Sequence, residues 1–586
     1  MRGKRLFLLL LFSIALLILS ACYGQEKETS TMDIHSLPLS VTNEGKVISG
    51  GTLKVALVTD SPFQGIFLAE LYEDAFDAEI FSYASNSLFE LDGDFLVKDT
   101  GIAKLDVHPE QNKATVTIRK GIKWSDGQPL AVDDLIYSYE IIGHPDYTGI
   151  RYDGNSQNIV GMAEYHEGKA KTISGIKKIN DLTIEISFKE ITPAIYSIGD
   201  GLWGYAAPKH QLQSIAVKDL LSSEAVRKNP VTLGAFKFDK VINGESVQFV
   251  ANENYYKGKP KVDKVIVQAV PSTSISEALK VGKYDIATPF PTNQFDSVKN
   301  LSNVAILGRP EMAYSYLGFK LGSFDTSKQI NVYNSSSKMN NQKLRQAIAY
   351  GMDIETVTEV IYQGLNKRAN SLIPPVFSFY DASLKGYHYD AKKAKALLDE
   401  AGYIDIDGDG FREDPKGAKL VIRLAAMAGS DVDDVIVAYY RQNWADIGLN
   451  VELTTGRLIE FNSFYQKVQS DDPEIDMFMA AWGTGANPSP SGLYAKEAAF
   501  NFSRFVSEDL TNMLKDIDSE KSMVADYRSK AFHIWQDYMD EQAVIIPMYF
   551  RTEIIPINKR VKNYSVDYQN GTELQDVELT STVPIQ

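Results

Sequence analysis

A single cysteine, Cys22, occurs in the 586 residues of this chain. No disulfide can form within it, so apolar cores, hydrogen bonds and ion pairs alone must hold whatever it folds into. One core stops growing at roughly 250–300 residues. Two or three domains are therefore expected. The position of the thiol adds a second constraint. Arg2, Lys4 and Arg5 precede an apolar run from Leu6 to Ile18 broken only by Ser13, and Ser20 and Ala21 lead into Cys22. A charged start, a short apolar stretch and a small-residue exit are the layout of a secretory signal peptide, here residues 1–21. The run is short of the roughly 20 residues that a membrane span needs.

Leu19-Ser20-Ala21-Cys22 resembles the bacterial lipobox. The resemblance implies cleavage before Cys22 and its acylation, a palmitate-type lipid anchor. An uncleaved anchor with an incidental thiol is the competing reading. With Cys22 lipidated, no free thiol remains, which suits an oxidising exterior. Tyr23 to Ser49 is polar and without sustained period, so 22–49 reads as the lipidated residue and a flexible tether.

The apolar fraction of 44% and charged fraction of 23% are ordinary for soluble globular protein. A formal charge of -16, with no basic run after the signal, excludes nucleic acid as an expected partner. No second apolar stretch is long enough to span a bilayer, so the membrane is reached through the lipid only.

Folding is expected to begin at Gly50-Gly51, where "GGTLKVALVTDSP" alternates as a strand and ends in a Pro-marked loop. Strand patterns recur at 114–120, 183–190 and 245–256. Two strand–helix–strand units follow. In the first, "DKVIVQAV" and "YDIATPF" flank a short helix through Leu279 with Ser274 and Glu277 as its capping box. In the second, "KLVIRLAA" and "NVELTTG" flank a helix over 431–447. Its apolar face is read as Val432, Val435, Val437, Tyr440, Trp444 and Ile447, with Gly448 as the stop. Two βαβ regions with an irregular β-rich stretch between suggest two α/β lobes and an insertion.

Enzyme chemistry has little support. None of His35, His108, His144, His166, His210, His388 and His533 has another histidine three or four residues away, so no local zinc or nickel motif is present. A nucleophile elbow, a Walker loop and G-x-G-x-x-G are likewise missing. One loop has metal-ligand spacing. In "DIDGDGFRED", Asp405, Asp407 and Asp409 take positions 1, 3 and 5 of an EF-hand-type loop, and Gly410 takes position 6. Phe411 would offer a carbonyl and Glu413 stands at position 9, but position 12 is Lys416 where a glutamate is wanted. Structural calcium and a plain Asp/Gly turn both fit. A second stretch, "AAWGTGANPSPSG" over 480–492, sets a Trp among glycines and prolines. That composition suits a loop that holds a ligand through main-chain groups.

Five segments together resemble one family: Ile118–Glu140, Asn229–Lys240, Leu344–Asp353, Leu397–Asp414 and Phe500–Leu510. They look like the family 5 dipeptide/oligopeptide substrate-binding proteins of ABC transporters, closest to the lipid-anchored oligopeptide-binding proteins of Gram-positive bacteria. The resemblance implies an α/β bilobal clamp, periplasmic-binding-protein-like and of the class II type, with a β-rich subdomain inserted in lobe one. Lobe one would comprise 50–85, 226–305 and 545–586, the insertion 86–225, and lobe two 306–544. It implies a monomer that binds oligopeptides and passes them to an ABC permease and its ATPase subunits. Its place would be the outer face of the cytoplasmic membrane, with no cofactor required and no catalysis. A receptor for one signalling peptide, or a nickel, haem or sugar binder, is the alternative within the family.

Carried over residue by residue, the ligand loop matches at Ala481, Trp482, Gly483 and Thr484, with Asn487 following. Ser61 and Pro62 match a second ligand-facing loop. Tyr316 lies on a strand that faces the cleft in the family. Some members place an aspartate three residues after the Trp to hold the peptide amine; here that position is Gly485.

Overall fold

The computed structural model describes residues 34–199 and 201–586; the signal stretch and Cys22 lie outside them. Strand β1 (Thr52–Val58) shows how the first lobe is layered. Leu53, Val55 and Leu57 enter one core and Ala56 and Val58 another. A strand with both faces covered needs the near-continuous apolar run that β1 has. Its neighbours, Lys264–Val270 and Ile286–Thr288, pair with it in parallel. Parallel neighbours need a crossover, and the helix Ser272–Lys280 supplies it. That helix begins two residues before the expected Ser274 cap. Pro271 is its N-cap, and the Ser272 N–H and hydroxyl both donate to the Asp60 carboxylate, at 2.9 and 2.6 Å.

The second lobe repeats the unit. Val421–Ala428 pairs in parallel with Asn450–Leu453, and the helix Asp433–Asp446 joins them. Ile436, not Val435, sits on the buried face; Val435 is 61% exposed. The reason is the 3.6-residue period: Tyr440 and Trp444 place 436 in line and turn 435 outward.

Between β1 and the strand Lys264–Val270 the chain inserts a four-stranded antiparallel sheet, ordered Ala103–His108, Lys113–Ile118, Thr183–Ser187, Ile176–Asn180. The helix Val132–Ile142 packs with it on a core of its own.

Four further elements build the region between the lobes: helix α1 (Ala75–Ser82), strand β2 (Val304–Phe319), helix α2 (Phe461–Gln469), and strand β3 (Met477–Gly483). A last long strand, β4 (Ile545–Asn558), runs antiparallel to β2 over almost its whole length. The β2–β4 ribbon joins the two lobes into one continuous sheet. Along it the cores change over later than the expected 305/306 and 544/545 boundaries. Leu307 still packs in the first-lobe core, and Ile545, Ile546, Met548 and Phe550 pack in the second.

The tether expected over 22–49 is docked from Ile34 onward. Ile34 is buried, Ser40–Val41 pairs with Tyr564–Ser565, and the Ile48 N–H donates to Leu579 O at 2.9 Å. A two-residue strand carries no periodicity for sequence reading to detect. Among the described residues no helix is long and apolar enough to cross a membrane.

Candidate functional site

The ribbon kinks where it passes between the lobes. Pro310 pairs with Thr552 and Tyr314 with Phe550, so Glu311, Met312 and Ala313 oppose Arg551 alone. A bulge of this kind bends a strand and frees its main-chain groups for other partners. Here the Thr484 N–H and hydroxyl both donate to Met312 O, at 2.8 and 3.1 Å, and the Tyr568 hydroxyl donates to Pro310 O at 2.9 Å.

One face of β4 looks into the space between the lobes. Tyr549, Arg551 and Glu553 keep accessible surface, while Phe550, Thr552 and Ile554 on the other face are buried. Arg309 pairs with Glu553 with 24% and 22% of the side chains accessible, and Arg551 with Glu311 with 36% and 21%. Charged groups half-open in the middle of a sheet mark a wet cleft. Burial pushes the Glu311 carboxyl up, and the Arg551 charge opposes that shift. These four residues escaped the sequence reading. The available signal was charge at alternate positions, 551 and 553, in an otherwise apolar strand pattern.

β3 forms the wall beside the kink. It pairs with β2 along its full length, Ala313 opposite Gly483 through Phe319 opposite Met477. On its other edge it pairs with Val421–Ala428 only as far as Met479. Ala480 to Gly483 therefore offers a strand edge, of which Ala481 O already accepts the Tyr465 hydroxyl at 3.3 Å. Gly483 is exposed, and a side chain there would meet nothing within 4 Å. Half-buried Trp482 rests on Phe500, ring centroids 4.6 Å apart, and nears Phe502 at 6.5 Å. The sequence-expected Ala481, Trp482, Gly483 and Thr484 thus converge on the kink.

Asn487 accepts from the Ser489 N–H at 3.1 Å and reaches the inserted subdomain, where its amide nitrogen is 2.5 Å from where a Cβ on Gly199 would stand. Ser61 is buried and hydrogen-bonded to Glu460, while Pro62 O accepts from Asn462 Nδ2 at 3.1 Å. Gln64 donates to Asn462 at 3.1 Å, Phe76 meets Phe461 at 5.1 Å, and Asn293 donates to Asp431 at 2.8 Å. Ser61 and Pro62 therefore hold the rim where first lobe meets second. Tyr316, expected to face the cleft, instead stands in the second-lobe core at 5% exposure, edge-on to Phe478 at 6.0 Å. Beyond the kink, Ala313 to Phe319 is covered on both faces.

Residues 100–503 match the family model of bacterial extracellular solute-binding proteins, family 5, middle region. The chain is a family 5 solute-binding protein. Family membership speaks for ligand binding rather than catalysis. The oligopeptide-binding protein OppA of Lactococcus lactis subsp. cremoris (strain SK11) is 36% identical to this solute-binding protein over 568 residues, 95% of this chain and 94% of that one. The solved structure of lactococcal OppA, complexed with an endogenous peptide in the closed conformation, matches with a TM-score of 0.87 at 36% identity, covering 90% of this chain and 100% of that one. Bacillus subtilis AppA in complex with a nonapeptide matches with a TM-score of 0.76, covering 92% of this chain and 100% of that one; at 20% identity it shares the fold.

The Asp-rich loop of this solute-binding protein lies elsewhere, on the second lobe. It brings Asp405, Asp407 and Glu413 together, with ligand oxygens within 4.8 Å of one another. Asp405 accepts from the Gly408 and Gly410 N–H groups at 2.7 and 3.0 Å, Asp409 from Phe411 at 2.9 Å, and buried Glu413 from Ile406 at 2.7 Å. Lys419 stands against Asp409 at 3.1 Å and Asp407 at 3.5 Å. The turn is thus closed by its own main chain, with a lysine as counter-charge. Millimolar calcium is accordingly expected to move Tm by less than about 1 °C, a shift under ~1.2 kcal/mol for a protein this size. A rise of several degrees that Asp405→Asn abolishes would make the loop a calcium site.

Proposed function

We propose that this protein binds oligopeptides lying extended between its lobes and delivers them to an ABC importer. It works as a monomer at the outer face of the cytoplasmic membrane of a Gram-positive bacterium, held there by the lipid on Cys22. The observation that carries the reading is the open edge of β3 from Ala480 to Gly483, beside the kinked ribbon. An extended peptide pairs with such an edge through its backbone, which leaves side-chain choice broad. The names of the lactococcal relatives support the same ligand class. Closure around the peptide would bury it, and the permease would read the closed shape.

Calorimetric titration tests the proposal. Unrelated peptides should each give saturable binding, and should be recovered intact after long incubation. Saturation by nickel–histidine, haem or a sugar, with none by peptides, would contradict it. A set in which one sequence alone binds would assign a signalling receptor.

Gly485 stands where an amine-holding aspartate would be, with φ of +65° and nothing within 4 Å of a Cβ. Acetylating a peptide's N-terminus is therefore expected to change Kd by less than about threefold, where loss of a charge-assisted hydrogen bond typically costs about tenfold or more. A thirtyfold loss in the same titration would show that the amine is held.

A further inference from the structure

The charges along the ribbon do not cancel. Arg309 is committed: it pairs with Glu553, donates to Val566 O, and lies over the Tyr568 ring at 4.1 Å. Arg551 faces Glu311 at 3.2 Å. Each guanidinium has its own carboxylate. A third carboxylate, Glu79, approaches the same ribbon from α1. It stands one turn after Phe76, which touches Phe461 of the second lobe. Residues three apart share a helix face, so this face of α1 borders the cleft. Ile80 and Phe81 turn the other way, into the first-lobe core.

The Glu79 carboxylate has no hydrogen bond or ion pair among the described residues; only its backbone carbonyl is engaged, by the Ser82 hydroxyl at 2.7 Å. The groups facing it are Glu553 and Arg309 on the ribbon, Tyr564 beyond it, and Tyr83 on its own helix end. Burial first, then the Glu553 charge, push its carboxyl up to about 7, and Arg309 offsets only part of this. Both tyrosines are pushed up by burial and stay neutral near pH 7. A half-enclosed carboxylate with no ion pair of its own, beside guanidinium groups already paired to other carboxylates, leaves one negative charge for a further positive group to meet.

We propose that Glu79 forms a subsite for a lysine or arginine side chain of the bound peptide. The inference rests on the peptide-binding reading above and adds a side-chain preference to it. A cation beside Glu79 favours the charged carboxylate and lowers its pKa in the complex. The preference for a cationic side chain therefore grows as pH rises through about 7 and fades below it, where the carboxyl is protonated before the peptide arrives.

The test uses N-acetylated, C-amidated hexapeptides that differ only in lysine or norleucine at one position, scanned along the peptide. At one position lysine should bind about tenfold tighter than norleucine at pH 8, the scale of a charge-assisted contact, and less than about threefold tighter at pH 5.5. Glu79→Gln should bring the ratio near one at both pH values. Glu73→Gln, at an exposed position just before α1, should keep the wild-type ratio. A lysine preference that survives Glu79→Gln, or that does not change with pH, overturns the inference. Peptides that bind with no lysine preference overturn it and leave the proposed function standing; peptides that do not bind at all remove both.

Discussion

Asp285→Asn is expected to destabilise the first lobe by about 3–5 kcal/mol, the range for breaking a buried ion pair from one side. Asp285 and Arg560 both have 0% of their side chains exposed, and they meet through two hydrogen bonds of 2.6 Å. Arg560 also donates to Ser581 O and Thr52 O, each at 2.8 Å, and Asp285 accepts from the Lys54 N–H at 2.8 Å. One pair thus ties β1, the strand Ile286–Thr288 beside it, the turn after β4, and the C-terminal segment. Asparagine would keep the shape but lose the charge, leaving a buried guanidinium uncompensated. Urea unfolding should show a lower midpoint with an unchanged slope for the first transition. A loss below about 1 kcal/mol would mean that water reaches Arg560. Replacing both partners by apolar residues of similar volume should recover much of the loss.

Trp482→Ala is expected to weaken peptide binding by about 30–150-fold, with folding intact. An aromatic anchor at a binding surface is commonly worth about 2–3 kcal/mol on truncation. The ring is held by its surroundings. Phe500 and Phe502 support it. The loop that carries them is fixed by Arg504, 1% exposed, which donates to Asp471 at 2.8 Å, Asn331 Oδ1 and Ala499 O at 3.0 Å, and Gln469 O at 2.9 Å. Lys320 adds bonds to Val468 O at 3.2 Å, Phe502 O at 3.0 Å and Asp471. A pre-positioned ring loses little freedom when a ligand arrives. Calorimetry on the variant gives the affinity, and near-UV circular dichroism checks the fold. Unchanged affinity would place the peptide away from β3.

Much of the fold was legible because its signals are local. The two βαβ units show in period-2 strands and a 3.6-period helix, and the candidate ligand loop in a Trp set among glycines. The family segments imply the order of the lobes. What escaped was long-range. β2 contains Gly308-Arg309-Pro310, which reads as a break; the strand survives because Pro310 falls at the bulge, where no ladder N–H is needed. The cleft charges pair across more than 200 positions of sequence, Arg309 with Glu553 and Glu311 with Arg551, and no local pattern records that. The resemblance alone places Tyr316 at the cleft; which stretch of a long strand is covered depends on where the kink falls.

The central claim is that peptides occupy the cleft. Its most direct test is mass spectrometry of whatever stays bound when the chain from Gln25 onward is purified and then acidified. The account expects a ladder of unrelated peptides, enriched in lysine and arginine. Recovery of a metal complex, haem or sugar with no peptide would contradict it.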